Sequence, residues 1–144
     1  MENLKITSGL EDYIEVISNI LKANGKVRAI DIAKNLNVSR ASVSEALKRL
    51  NELGYINYDR YSSIEITNKG ELAAQSVIRR HNLLHKFLAD ILTLDEDEAT
   101  GNACKIEHVI SSKFIDKLDK FVNFYTSNTD YSEKFKEYLN KNLT

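Results

Sequence analysis

The stretch Val38-Ser39-Arg40-Ala41-Ser42-Val43-Ser44-Glu45-Ala46-Leu47-Lys48-Arg49-Leu50-Asn51-Glu52-Leu53-Gly54-Tyr55-Ile56-Asn57-Tyr58 decides the fold, because its apolar period changes partway along. Val43, Ala46, Leu47 and Leu50 recur at helical spacing, whereas Tyr55-Ile56-Asn57-Tyr58 alternates as a strand does. Gly54 stands at the change and supplies the left-handed conformation that ends a helix. Asn37-Val38-Ser39 reads as a tight turn, with Ser39 as the N-cap of the helix behind it. Upstream, Ile30, Ile32, Ala33 and Leu36 mark a shorter helix. Before that, Tyr13, Ile14, Val16, Ile17, Ile20 and Leu21 mark a first helix that Asn24-Gly25 terminates. Downstream, Ile64-Glu65-Ile66-Thr67 pairs with the first strand around the connection Asp59-Arg60-Tyr61-Ser62-Ser63. Helix, helix, turn, helix, hairpin is the order of a winged helix-turn-helix.

The rest of the chain is helical. Thr67 caps a long fourth helix running through Leu72, Val77, Ile78, Leu83, Leu84, Phe87, Leu88 and Ile91. A fifth starts at Asp95, with Glu98 at capping-box distance. Ser111 caps a sixth whose apolar face carries Phe114, Ile115, Leu118, Phe121 and Val122. A last segment, Asp130 to Leu143, docks along one edge through Phe135, Tyr138 and Leu139. The fold class is therefore mainly α. Residues 1–72 form a winged helix-turn-helix and residues 73–144 a helical second domain, with the long fourth helix crossing the boundary.

The chain has 144 residues with 42% hydrophobic and 28% charged residues, the balance of a folded soluble protein. It holds no apolar run of the ~18–20 residues that a membrane span needs and no secretory leader pattern. One cysteine rules out an internal disulfide framework and places the protein in the cytoplasm. A net charge of −1 argues against coating nucleic acid by bulk charge. A local basic surface is still enough for sequence-specific binding to duplex DNA.

A recognition helix presents small or hydrogen-bonding side chains to base edges. The outward positions of the third helix are Ser39, Arg40, Ala41, Ser42, Ser44, Glu45, Lys48 and Arg49. Ser42 and Ser44 allow close groove approach, Ala41 suits a thymine methyl, and Arg40 and Lys48 suit phosphates. Glu45 is tolerated only where it accepts from a cytosine amino group. Tyr58, Arg60 and Tyr61 stand at the hairpin tip, within reach of the flanking backbone. The same residues equally describe a solvated helix face and a surface turn.

The chain's three histidines and its lone cysteine fall in two places. His81 and His85 are four apart on the fourth helix, so both face one side. Cys104, Glu107 and His108 have i, i+3, i+4 spacing on the next. Thiolate, carboxylate and imidazole are the ligand types that hold first-row transition metals. Glu11, Asp12 and Glu15 add carboxylates at the start of the chain. Each piece has an ordinary explanation as well: buried cysteine, surface histidine, acids near a helix N-terminus. Together they favour a metal.

These residues resemble the diphtheria toxin repressor and manganese transport regulator family over nearly the whole chain to about Phe124. The resemblance is carried by Glu11-Asp12-Tyr13-Ile14-Glu15, Asp31-Ile32-Ala33, Val38 to Val43, Leu53-Gly54-Tyr55, Thr67-Asn68-Lys69-Gly70, Arg80-His81 and Ala103-Cys104-Lys105-Ile106-Glu107-His108. It implies a metal site of Asp12, Cys104, Glu107 and His108. It also implies a neighbouring site with His81, and Glu15 as the extra carboxylate of manganese-type members. Cys104 stands where such members usually carry a carboxylate and iron-type members a cysteine. His85 replaces a common glutamate, and Thr100 a common histidine. The length resembles the short, two-domain form.

The resemblance implies a homodimeric repressor of metal-homeostasis genes that binds a palindromic operator when loaded with Mn(II) or Fe(II). Co(II), Ni(II) and Zn(II) are expected to bind in vitro. Two other readings stand beside it: a metal-independent winged-helix regulator and a small metalloenzyme. No Gly-rich loop, nucleophile elbow or His-Glu-x-x-His motif supports the enzyme, and no catalytic residue is expected.

Overall fold

Cap chemistry sets where each element begins and ends. The computed structural model describes residues 6–59 and 63–143. Helix α1 spans Ser8–Asn24, capped by Thr7, whose hydroxyl accepts from Leu10 N–H at 3.3 Å. It ends at Gly25 with φ +73°, a conformation that costs glycine little. Helix α2 covers Ala29–Leu36, where Asp31 reaches back to the Arg28 N–H at 3.1 Å. Asn37 then adopts φ +53° and turns the chain into α3, Arg40–Glu52. Ser39 caps α3 by accepting from Ser42 N–H at 3.1 Å. Gly54, at φ +83°, redirects the chain into the hairpin.

The strands are shorter than the alternation suggests: β1 is Ile56–Asn57 and β2 is Glu65–Ile66, antiparallel, with Ile56 opposite Ile66 and Asn57 opposite Glu65. Arg60, Tyr61 and Ser62 lie outside the described residues. After the hairpin, α4 runs over Asn68–Lys86 and widens into a π-helical turn at Phe87–Ile91. Helices α5 (Glu96–Ile106), α6 (Ser112–Ser127) and α7 (Thr129–Asn142) complete the chain. Asp95 and Ser111 cap α5 and α6, accepting from Glu98 N–H at 2.9 Å and Phe114 N–H at 3.1 Å.

The chain forms two compact units divided between Arg79 and Arg80, within α4. In the first, Ile14, Ile17, Ile32, Val43, Leu47, Leu50 and Ile56 are fully buried in one core. The start of α4 is locked against the end of α3. The Thr67 hydroxyl donates to the Gly54 and Tyr55 carbonyls at 2.7 and 3.0 Å and accepts from Gly70 N–H at 3.1 Å. Lys69 Nζ donates to the Leu53 carbonyl at 2.8 Å and sits 4.4 Å above the Tyr55 ring. A Cβ at position 70 would collide with the Tyr55 carbonyl oxygen, so the joint requires glycine. On the other side, Glu71 accepts from the buried Ser18 hydroxyl at 3.3 Å and pairs with Lys22 at 3.1 Å, tying α4 to α1.

The second unit has its own core: Leu84, Ile91, Ala99, Ala103, Ile115 and Val122. Three apolar residues behave differently from their periodicity. Leu72 is 69% exposed, and Phe114 and Phe121 stay about half exposed, because Ile115, Leu118, Val122 and Tyr125 fill the buried stripe of α6. Helix α7 buries no residue fully; Phe135 packs partly against the core and meets Tyr125 edge-on.

Candidate metal centre and DNA-reading face

The second unit brings three donor atoms together. Helix α4 carries His81 and α5 carries Cys104, while Glu107 caps the C-terminus of α5. Imidazole nitrogen, thiol sulfur and carboxylate oxygen lie within 4.8 Å of one another. Nδ1 of His81 is 2.7 Å from Oε2 of Glu107 and 3.8 Å from Sγ of Cys104. Two ligands bound to one first-row ion at about 2.0–2.3 Å stand at most ~4.6 Å apart. Both His81 separations fall inside that limit, and the donor set fits a transition-metal ion in its chemistry.

Helix α5 ends at Ile106, one residue before the spacing argument places its last ligands. Glu107 keeps helical angles, φ −55° and ψ −27°, so it still projects as i+3 from Cys104. His108 follows in the turn, with Nε2 3.4 Å from Glu107 Oε1. Glu107 is only 1% exposed and sits at the negative end of a helix dipole. A carboxylate so placed is costly without positive partners, and imidazoles flank it on both oxygens.

His85 stacks one turn beyond His81, ring centroids 6.4 Å apart, and its Nε2 lies 3.0 Å from Oε1 of Glu96. Thr100 donates to the same oxygen at 3.5 Å. Glu96 was not visible as a partner in the sequence, where it is one acid in a run at a helix start. Only the packing of α5 near the end of α4 selects it. Asp12 and Glu15 stand on α1 in the first unit, both partly buried. Burial, then the negative charge of Asp12, pushes the Tyr13 phenol up from its ordinary value.

Ser39, Arg40, Ala41, Ser42, Ser44, Glu45 and Lys48 all lie exposed along α3. Two of these serines already have a task. Their hydroxyl oxygens are 2.9 Å apart and Ser39 caps the helix, so both serve the cap in the free protein. Arg49 pairs with Glu52 at 3.5 Å. Arg60 lies outside the described residues. Sequence reasoning passed over Asn51, which joins α3 to the hairpin: its Oδ1 accepts from Tyr58 N–H at 3.0 Å.

Comparison with known proteins gives both halves a counterpart. Residues 5–64 match the family model described as iron dependent repressor, N-terminal DNA binding domain. Residues 67–136 match iron dependent repressor, metal binding and dimerisation domain. An uncharacterised HTH-type transcriptional regulator of Methanocaldococcus jannaschii is 34% identical over 92% of this chain and 98% of its own. The HTH-type transcriptional regulator MntR of Oceanobacillus iheyensis is 32% identical over 83% of this chain and 80% of its own. Among solved structures, that of the manganese regulator SloR superposes with a TM-score of 0.72 at 31% identity. It covers 84% of this chain, which spans only 55% of that longer protein.

Proposed function

Since the chain belongs to the iron-dependent repressor family, we propose that it is a metal-dependent transcriptional repressor, switched on by Mn(II) or Fe(II). The carrying observation is the meeting of His81, Cys104 and Glu107 within 4.8 Å, inside the half matching a metal-binding and dimerisation domain. The likeness to the manganese regulator SloR and to a manganese-dependent transcriptional repressor solved with manganese supports Mn(II). The thiol pulls toward softer ions such as Fe(II), Co(II) or Zn(II).

Residues 1–72 act as the DNA-binding domain and residues 73–144 as the metal-binding and dimerisation domain of a cytoplasmic homodimer. The operator is a palindrome whose half-sites lie about one helical turn, ~34 Å, apart, the spacing that paired recognition helices require. The regulated genes are those of metal homeostasis. No enzymatic role is assigned. Asp12, Cys104, Glu107 and His108 make one metal site. His81, beside Cys104 and Glu107, belongs to the second, neighbouring site, and Glu15 is the additional carboxylate. His85 supports the second site through its stack on His81. The support for Asp12 and Glu15 is their i, i+3 spacing on α1 and the likeness of Glu11-Asp12-Tyr13-Ile14-Glu15 to the family.

A bound divalent cation supplies positive charge and short, fixed coordination distances. Asp12 and Glu15 would hold such a cation from α1; Ser18 and Lys22 hold that helix on Glu71 of α4, and the Thr67–Gly70 joint links α4 to the end of α3. A recognition helix ordered beforehand loses less entropy on docking. Linkage requires DNA to tighten metal binding by the factor that metal tightens DNA binding, typically ~5–150-fold.

The test is anaerobic titration of the full chain with Mn(II) and Fe(II) by calorimetry. Beside it runs DNA binding, with and without chelator, to duplexes selected from a random library by the loaded protein. Tight DNA binding only with metal is the expected result. DNA affinity indifferent to chelator overturns the proposal in favour of a metal-independent regulator.

A further inference from the structure

Tyr58 N–H can only donate, so the Asn51 atom 3.0 Å from it is the carbonyl oxygen, Oδ1. An amide is planar, and its NH2 group therefore occupies the opposite branch. That group has no hydrogen-bond acceptor among the described residues, and Asn51 is exposed. Asn51 lines a groove of about 530 Å³ between α3 and the hairpin, together with Ser44, Lys48, Tyr58 and Asp59. An oriented NH2 and an ammonium can only donate; they call for an acceptor-rich, negatively charged ligand. Asp59 borders the same groove. A phosphate held in place by the rest of a polymer is far less sensitive to one such carboxylate. The groove also lies beside the second half of α3, whereas base readout belongs to a recognition helix's first turns.

From this geometry we infer that Asn51 and Lys48 form a subsite for a backbone phosphate of duplex DNA, with Tyr58 N–H fixing the direction of the amide. The inference rests on the DNA-binding reading above and extends it to a residue outside the helix positions read for base contact. Asn51 thereby has two tasks: anchoring the hairpin through its oxygen and gripping DNA through its nitrogen.

The probe is a duplex selected from a random-sequence library by the Mn(II)-loaded wild-type protein. Asn51→Asp keeps an oxygen for Tyr58 N–H and replaces the donor by an acceptor. Loss of one charge-assisted hydrogen bond predicts about 10- to 100-fold weaker binding, equal across selected sequences, at unchanged thermal midpoint and Mn(II) stoichiometry. Lys48→Ala lowers the salt slope by about one. A scan of single neutral methylphosphonate linkages finds one linkage per half-site that weakens the wild type and weakens Asn51→Asp less. Wild-type affinity in Asn51→Asp overturns the subsite, as does a loss confined to one base-pair position. If the wild type retains no duplex at all, the DNA-binding reading itself fails and takes the subsite with it.

Discussion

Oε2 of Glu107, on a side chain buried to 1% exposure at the C-terminus of α5, lies 2.7 Å from Nδ1 of His81 on α4. The pair places a negative charge where the helix dipole disfavours it and sets an imidazole against it. Sulfur stands 3.8 Å from the same nitrogen. Imidazole, carboxylate and thiol so grouped are ligand types that first-row transition metals take.

Glu107→Gln is therefore expected to weaken Mn(II) binding by at least the 10- to 100-fold typical of a lost ligating group or its support. Calorimetry checks it. Stability need not fall in parallel, because the amide is isosteric and relieves an acid at a negative helix end.

Cys104→Ser tests the sulfur directly. The Co(II)-loaded wild type should show a near-ultraviolet sulfur-to-cobalt charge-transfer band, and the variant should lack it while still binding metal. A band that persists in the variant removes Cys104 from the ligand set.

Gly70→Ala acts on the joint between α3 and α4. The added methyl meets the Tyr55 carbonyl and comes 2.8 Å from Ile66 Cγ1. Overpacking of this kind costs about 1–3 kcal/mol. Urea unfolding should report it as a lower midpoint, and DNA affinity should fall with it.

The Glu71 carboxyl carries a pH signature. Burial acts to raise it, yet hydrogen bonds from Lys22, Gln75 and Ser18 and the Lys22 charge outweigh burial and hold it below its ordinary value. A depressed acid stabilises the fold at pH above its unfolded value, near 4.5, and that contribution is lost as pH falls through the folded value. Unfolding curves between about pH 6 and pH 3 should show the wild type losing its advantage over Glu71→Gln. A constant difference across that range contradicts the clamp.

Asp12→Ala tests the proposed tether on α1. The expected outcome is weaker metal binding together with loss of metal-dependent DNA binding, read by the same calorimetry and duplex retention. Unchanged metal affinity removes Asp12 from the site.

Local chemistry made much of this protein legible in its sequence. Ser39, Asp95 and Ser111 announced three helix starts, and Gly25 and Gly54 announced ends, because caps and left-handed turns involve neighbours a few residues apart. The change of period at Gly54 gave the hairpin, and the i, i+3 spacing of Cys104 and Glu107 marked two of the donors that meet His81. What no spacing can state is which side of one helix meets which side of another. That Glu107 is the buried acid, that His85 turns to Glu96, that Asn51 spends its oxygen on Tyr58, and that Leu72 and Phe114 stay in water were decided by packing. The reason is physical: caps and periodicity act over one helical turn. Burial and cross-helix hydrogen bonds depend on which surfaces the whole chain can bring together at close density.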